Sequence, residues 1–319
     1  MSTKSRQKGF GSQAMAKTML ASAFILFVIA ISDAQAGICD VVRDGLVACY
    51  PFNGNANDES GNGNNGTING ATPLADKSGN ANSAYSFNGT TDYIYIGKPV
   101  PSSVATTAAI TLAAWINPSA YPSSSSDDTI YVGLIAGSQC DFCGTSGAAI
   151  HLDGRNAQYG GVRGGIHFQI GLENIGWTQT ANEGITNVAV PLNQWSHIVA
   201  TWKSGDTKKV YINGQLATNW TTIWTGNIRY DSNTELAIGR QADLGRYFNG
   251  SVDDVRIYNR AISEAEIRQL YDSGSCAYTQ AQLDQAVKAE QLKWDANGDG
   301  RIGLEDIIRM LQVIAGLRP

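Results

Sequence analysis

The sequence predicts a mainly β protein, built as two stacked antiparallel sheets, with a small α-helical module at its C-terminal end. Between residues 45 and 258, apolar side chains recur at every second position in short runs, which is the period of half-buried strands. Turn-forming Gly, Asn, Asp and Pro separate these runs, and glycine alone supplies 35 of the 319 residues. Many short strands without a long helix among them favour two packed sheets.

The first 36 residues are predicted to be a secretion signal. Their apolar run, residues 19–31, carries no charge, follows four Lys or Arg residues and precedes the small residues Ala34 and Ala36. The run is shorter than the roughly 20 residues that a spanning helix needs, so cleavage before Gly37 is favoured over an uncleaved anchor. We therefore expect a protein that is secreted or held at the cell surface, with no membrane span after cleavage.

The charge balance excludes one class of partner. Once residues 1–36 are removed, 19 basic and 27 acidic side chains remain, a net charge near −8. Nucleic acid is therefore not expected to bind, whereas an acidic exported chain suits calcium sites.

Five cysteines fall in a chain that is expected to enter an oxidising compartment. Cys140 and Cys143 predict a small loop disulfide rather than a zinc or redox site, because no second CxxC and no nearby His pair accompanies them. Cys39 and Cys276 flank the β region, so a bridge between them would close its two ends. Cys49 lies inside an apolar strand and is interpreted as a buried thiol.

Turn and cap signals mark the later part of the β domain, which we place at residues 37–275. Asn213-Gly214 predicts a two-residue hairpin turn, because both residue types tolerate positive φ. Ser263 and Glu266 form a capping box that predicts a short closing helix, flanked by Ile262 and Ile267 at the spacing of a hydrophobic staple.

The most specific motif lies in a second module, residues 276–319, where a twelve-residue loop separates two amphipathic helices. Calcium loops of this length use oxygen ligands at positions 1, 3, 5, 7 and 12, with glycine at position 6. Gly300 occupies position 6. The predicted ligands are the side chains of Asp295, Asn297, Asp299 and Asp306 and the carbonyl of Arg301. A chance Asn/Asp-rich turn does not readily meet all of these positions, so Ca²⁺ is the predicted cofactor.

The same loop resembles those of dockerins, since position 12 is Asp306 rather than the Glu of sensor EF-hands, and the pattern D-x-N-x-D-G-x-I-x-x-x-D is met. Dockerins usually carry two such loops without the incoming helix that is predicted here. The module is therefore similar to a solitary EF-hand, which argues against cohesin binding.

Six segments of the β region carry a second resemblance. They lie at residues 46–52, 53–66, 84–89, 195–197, 210–214 and 248–262, and include the runs Asn-Gly-Asn-Ala-Asn-Asp and Val-Asp-Asp-Val-Arg-Ile-Tyr-Asn-Arg. Together they resemble the LamG-like jelly rolls of the concanavalin A-like lectin/glucanase superfamily. The resemblance implies a two-sheet jelly roll with one structural calcium, which would join Asp58 to Asp253 or Asp254. The alternative is that Asp58 makes Asx turns and that the aspartate pair caps a strand.

The sequence offers little support for an enzyme. Glycosidase relatives need two or three carboxylates along one strand, whereas no E-x-D-x-x-E occurs and Glu173 has no partner two or four positions away. His151, His167 and His197 are predicted to lie in different strands or loops, and His197 is interpreted as a framework residue.

The predicted function is recognition of a carbohydrate or surface glycoprotein through jelly-roll loops, without catalysis, by a secreted protein whose bound calcium is structural. A glycan hydrolase, or a matrix protein that assembles through its C-terminal module, are the alternatives. Three tryptophans in polar stretches are expected either to stack on sugar or to pack in the core; they are Trp177, Trp220 and Trp224.

The last predicted helix carries an apolar stripe with no second EF-hand to cover it. Its members are Leu304, Ile307, Ile308, Leu311 and Ile314. Exposed apolar area costs roughly 25 cal/mol per Å². The stripe is therefore expected to dock on the jelly roll, on a second copy of the chain, or on another secreted partner.

Overall fold

The computed structural model describes residues 39 and 41–275, with gaps at 123–130, 138–145, 155–161, 174–175, 178–183 and 242–245. Only the backbone is described for residues 131–137, 176–177 and 274–275. The predicted signal, the predicted calcium loop with its helices, and Cys140, Cys143 and Cys276 lie outside the described residues. No helix in the described part is long and apolar enough to cross a membrane.

Nineteen strands and one helix make up the described part of the chain. The strands are β1 Leu46–Tyr50, β2 Thr67–Asn69, β3 Thr72–Leu74, β4 Ala84–Asn88, β5 Tyr93–Gly97, β6 Ala109–Pro118, β7 Tyr131–Gly137, β8 Ala148–Asp153, β9 Ile166–Leu172, β10 Gly176–Trp177, β11 Ser196–Lys203, β12 Asp206–Thr207, β13 Lys209–Ile212, β14 Gln215–Leu216, β15 Ile223–Trp224, β16 Leu236–Ile238, β17 Arg240–Gln241, β18 Arg246–Tyr247 and β19 Asn249–Tyr258. The helix, α1, spans Glu264–Ser275.

Two large antiparallel sheets form the sandwich, as the sequence predicts. The eight-stranded sheet has the order β14-β13-β11-β6-β19-β4-β3, with β1 also paired to β19. The seven-stranded sheet has the order β10-β9-β8-β7-β16-β5-β2. Neighbours in these orders are mostly distant in sequence, so the connections cross from sheet to sheet.

The core lies between the two sheets, where strand alternation directs every second side chain. On β6 and β9 the inward side chains are Ile110, Leu112, Ala114, Ile116, Ile166, Phe168 and Ile170. The residues between them face away from the core. Each sheet therefore has an outer face, and both outer faces carry polar and aromatic side chains.

The predicted hairpin turn and helix cap are confirmed. Asn213 and Gly214 both have positive φ, at 50° and 72°, between β13 and β14. The hydroxyl of Ser263 accepts a hydrogen bond from the backbone N–H of Glu266, whose carboxylate in turn accepts one from the backbone N–H of Ser263. A hydrogen bond from Arg260 to the same carboxylate lowers the pKa of Glu266 to about 2.

Helix α1 covers the outer face of the eight-stranded sheet. Ile262 and Ile267, the predicted staple, pack in a second apolar cluster with Leu270. The sheet contributes Ala113, Val199, Tyr211 and Tyr258 to this cluster. Burial of this helix face therefore closes the domain on that side.

The structure corrects the predicted cysteine pairing. Cys49 forms a disulfide bond with Cys39, with a Cα–Cα distance of 6.0 Å. Cys49 is therefore not a free thiol, and Cys39 does not pair with Cys276. On β1 the neighbours Ala48 and Tyr50 face the core. Alternation therefore directs the Cys49 side chain to the outer face, where it bonds to Cys39, a residue that precedes β1.

Candidate functional site

A patch of half-buried tyrosines lies on the outer face of the seven-stranded sheet. Ile94 of β5 is fully buried in the core, so its neighbours Tyr93 and Tyr95 point outward, and both remain partly exposed. Tyr247 of β18 joins them, with its ring centroid 6.4 Å from that of Tyr93. Tyr93 and Tyr95 are successive residues on one strand face, so their Cα atoms lie about 6.6 Å apart. We call Tyr93, Tyr95, Tyr247 and Arg240 the tyrosine–arginine patch.

Arg240 completes the patch from the hairpin of β17 and β18. Its guanidinium carbon lies 3.5 Å from the ring centroid of Tyr93, a close cation–π contact. Its Nη2 donates to Glu235 Oε1 at 2.6 Å, so the guanidinium is charge-paired and held in place. The patch therefore presents aromatic faces and a fixed planar donor with little net charge.

Gly239, which has a φ of 84°, joins β16 to β17 at the start of the hairpin. A Cβ atom there would lie 2.4 Å from the ring of Phe87, so only glycine allows this close approach. Gln241, the residue after Arg240 on β17, is fully buried, and its Oε1 accepts a hydrogen bond from Arg246 at 3.1 Å. Among the described residues, its Nε2 has no hydrogen-bond partner.

A buried polar stripe lies on the same outer face, beyond β7. It consists of His151 and Asp153 on β8 and His167 and Gln169 on β9. His151 and His167 are directly opposite each other, with ring centroids 5.9 Å apart. The histidines do lie in different strands, as predicted, but their pairing was not predicted, although the alternating Ala-Ile-His-Leu-Asp and Ile-His-Phe-Gln-Ile runs indicate that both face the same way.

The predicted calcium residues Asp253 and Asp254 meet an ammonium group. Lys77 Nζ lies 2.7 Å from Asp254 Oδ2 and 3.3 Å from Asp253 Oδ2. Both aspartates are almost completely buried, at 2% and 3% exposure. Burial, followed by the negative charge of Asp254, raises the pKa of Asp253 to about 8, against the opposing effect of Lys77.

An aromatic cluster closes over this ion group. Lys77 Nζ lies 5.1 Å from the ring centroid of Trp115, and Tyr271 of α1 stacks on Trp115 at 5.7 Å. His197 packs beside Trp115 at 5.2 Å and is fully buried. Burial and the nearby charges of Arg256 and Lys77 lower the pKa of His197 to about 3, so its ring is neutral at physiological pH. This packing agrees with its interpretation as a framework residue.

Asp58 has a different set of partners. One carboxylate oxygen accepts from the N–H groups of Cys49 and Ser60, and the other from the backbone N–H and side-chain amide of Asn64. Among the described residues, no three His, Cys, Asp or Glu side chains come close enough to hold a metal ion. These hydrogen bonds of Asp58 do not involve the aspartate pair, and a calcium ion shared by the three residues stays a prediction. The C-terminal loop ligands lie outside the described residues.

Two of the three candidate sugar-stacking tryptophans are core residues. Trp220 and Trp224 are 7% and 9% exposed and pack in the main core. Lys208 Nζ lies 5.1 Å from the Trp220 ring centroid and donates to the carbonyl of Phe168. Partly exposed aromatic rings lie on strand β5, at Tyr93 and Tyr95, and also in loops, at Tyr121 and Trp195.

Comparison with known proteins gives one family match. Residues 88–268, more than half of the chain, match a laminin G-type family model described as the concanavalin A-like lectin/glucanases superfamily.

Two curated relatives match over shorter segments. Adhesion G-protein coupled receptor D1 from Homo sapiens is 36% identical over 78 residues, 24% of this chain and 9% of the receptor. The Bos taurus receptor of the same name is 31% identical over 96 residues, 29% of this chain and 10% of the receptor. The chain thus spans about a tenth of the length of these relatives.

Solved structures share the fold. Trypanosoma rangeli sialidase in complex with sialic acid is similar with a TM-score of 0.51 and 17% identity, over 74% of this chain and 34% of the sialidase. The binding domain of Paraclostridial Mosquitocidal Protein 1 has a TM-score of 0.50 and 18% identity, over 72% of this chain and 52% of that one. At these identities the likeness shows the fold alone.

Proposed function

The chain belongs to the concanavalin A-like lectin/glucanases superfamily, and on that premise we propose that it is a non-catalytic recognition protein that binds carbohydrate at the tyrosine–arginine patch. Membership of the family supports the class of ligand, and the patch supports the place. Fold alone does not determine function, so the proposal depends on the chemistry of the patch.

The single observation that carries the proposal is the group of half-exposed tyrosine rings around Arg240. A sugar ring has an apolar C–H face that packs on an aromatic ring, and hydroxyl groups at its edge that need hydrogen-bond partners. Tyr95 offers a partly exposed ring on this strand face, next to Tyr93, whose ring Arg240 covers on one side. Arg240, which Glu235 holds in position, offers a planar set of donors beside them. Because Glu235 neutralises Arg240, the patch suits a neutral sugar.

We further propose that the protein is secreted and that its C-terminal loop binds Ca²⁺. The charged, apolar and small segments of residues 1–36 support export. The oxygen-rich loop at residues 295–306 supports calcium binding. Binding of Ca²⁺ at a hundredfold excess over Kd would stabilise the folded module by about 2.7 kcal/mol. Calorimetric titration of Ca²⁺ against the mature chain and its Asp299→Ala variant tests this, and equal heats from both would contradict it.

A glycan array probed with the mature chain tests the recognition proposal. We expect binding to neutral glycans that Tyr95→Ala weakens roughly tenfold, since each tenfold change corresponds to 1.4 kcal/mol. Leu216→Ala is the matched control, because Leu216 is half-exposed on β14 of the other sheet and its removal should leave binding unchanged. Binding that both variants retain would place the ligand elsewhere.

The same glycans separate recognition from the two alternatives. A reducing-sugar assay is expected to show no turnover of the glycans that bind. Turnover would favour a hydrolase, for which the buried stripe around His151 and His167 would be examined first. Absence of both binding on the glycan array and turnover in the reducing-sugar assay would favour a structural role.

A further inference from the structure

The ion group at the bulge of β19 differs from what the family resemblance implies. Where a calcium ion was expected beside Asp253 or Asp254, the chain supplies the ammonium group of Lys77. We propose that Lys77 is the resident cation of this carboxylate pair, and that the jelly roll therefore binds no calcium there.

The backbone is shaped to bring the two carboxylates to one point. The register between β19 and β6 shifts between Asp253 and Arg256, which marks a β-bulge. Asp254 has a φ of 50°, in the left-handed region that non-glycine residues rarely adopt. The bulge thus places two successive carboxylates on the same ammonium group, although alternation along a regular strand would direct them to opposite faces.

The opposite loop is shaped to present the lysine. Lys77 lies in the turn between β3 and β4, and the Asp76 carboxylate accepts from the N–H groups of Ser78 and Asn80. The side chain of Lys77 is only 10% exposed. The ammonium is therefore held against the pair.

The two acidic side chains already have cationic partners. Both face Lys77, and the buried Arg256 lies beside them, donating to the backbone carbonyl of Asp254 at 3.3 Å. Oδ1 of Asp253 already accepts from the N–H of Asp254 at 2.7 Å. Calcium needs six to eight oxygen ligands, and no third carboxylate joins the pair in the described part of the chain. These residues therefore do not fit a calcium ion while Lys77 is present.

The first test measures thermal unfolding of the mature chain carrying Asp295→Ala and Asp299→Ala, which remove the predicted C-terminal calcium ligands. We expect the Tm of this variant to be the same in Ca²⁺ and in EDTA. A calcium-dependent rise in Tm that disappears on adding Asp253→Asn would overturn the proposal.

The second test removes the ammonium. Breaking a buried ion pair by deleting one partner leaves an uncompensated charge, so Lys77→Met should lower the Tm by roughly 6 °C or more. Adding Asp254→Asn to Lys77→Met should restore much of that loss, and Lys77→Arg, which keeps the charge, should lose less. If Lys77→Met does not fold, folding of the double variant supports the proposal. Losses that simply add in the double variant, or a Lys77→Met protein as stable as its parent, would refute it.

Discussion

The outer faces of the two sheets carry similar residue types and are used differently. On the eight-stranded sheet, Trp115, His197 and the aspartate pair lie beneath Lys77 and helix α1, so that aromatic and charged groups satisfy one another inside the protein. On the seven-stranded sheet, Tyr93 and Tyr95 form part of a patch that remains partly exposed. Residue type alone therefore does not mark a binding site. What separates the cluster around Trp115 from the β5 tyrosines is burial: the first lies beneath α1, whereas the tyrosines stay partly exposed on a sheet face that also carries the buried stripe around His151.

The largest expected effect comes from opening the covered face. Trp115→Ala removes a 5%-exposed ring that contacts Lys77, His197 and Tyr271, so we expect a loss of about 3–5 kcal/mol in the free energy of unfolding. Urea denaturation measures it. Ile223→Ala, at a 64%-exposed position, is the control and should change stability by less than about 0.5 kcal/mol. A similar small loss at Trp115 would mean that this face is not closed.

The second effect is a pH dependence that arises on the covered face. The pKa of Asp253 rises from 3.8 unfolded to about 8 folded, so its contribution to stability is lost as pH rises through 8. The pKa of His197 falls from 6.5 to about 3, so its contribution is lost as pH falls below 6.5. Below pH 6.5 the two groups change the free energy of unfolding in opposite directions as the pH changes. Between pH 6.5 and 8, of these two groups only Asp253 changes it.

We therefore expect the free energy of unfolding to fall by about 1–2 kcal/mol between pH 6.5 and pH 8, since one proton corresponds to 1.36 kcal/mol per pH unit. Urea denaturation at both pH values measures this fall. Asp253→Asn should make the profile flat in that window. An unchanged slope in the variant would show that another group is responsible.

A smaller effect is expected at the start of helix α1, which forms the cover. Ser263→Ala removes the capping hydroxyl and should cost about 1 kcal/mol in unfolding free energy. Ser273→Ala is the control within the same helix, because its hydroxyl only donates to the Leu270 carbonyl near the C-terminal end. Equal stability of the two variants would show that the cap contributes nothing to closure.

The smallest effect on stability is expected on the open face. Tyr95→Ala should change the free energy of unfolding by less than about 1 kcal/mol, because the ring is partly exposed and lies outside the core. The same variant should bind glycans roughly tenfold more weakly, so stability and binding separate on this face. A loss as large as that of Trp115→Ala would remove the distinction between the two faces.

Much of the fold could be predicted because its signals are local. The alternating runs predict the strands, Asn213-Gly214 predicts the hairpin turn, and Ser263 with Glu266 predicts the start of α1. Each of these depends on residues a few positions apart, whose geometry the backbone imposes directly. The candidate site is harder to predict, since alternation along β5 does not show which of its side chains stay exposed.

The two-sheet architecture, the position of the closing helix and the likeness to a lectin-type family follow from the sequence alone. The pairing of Cys49 with Cys39, the contact of Lys77 with Asp253 and Asp254, and the partial exposure of the β5 tyrosines follow only from the three-dimensional fold. Lys77 and Asp253 are 176 positions apart in the chain. Sheet order and the path of the covering loops bring such residues together, and neither is encoded in the period of the strands.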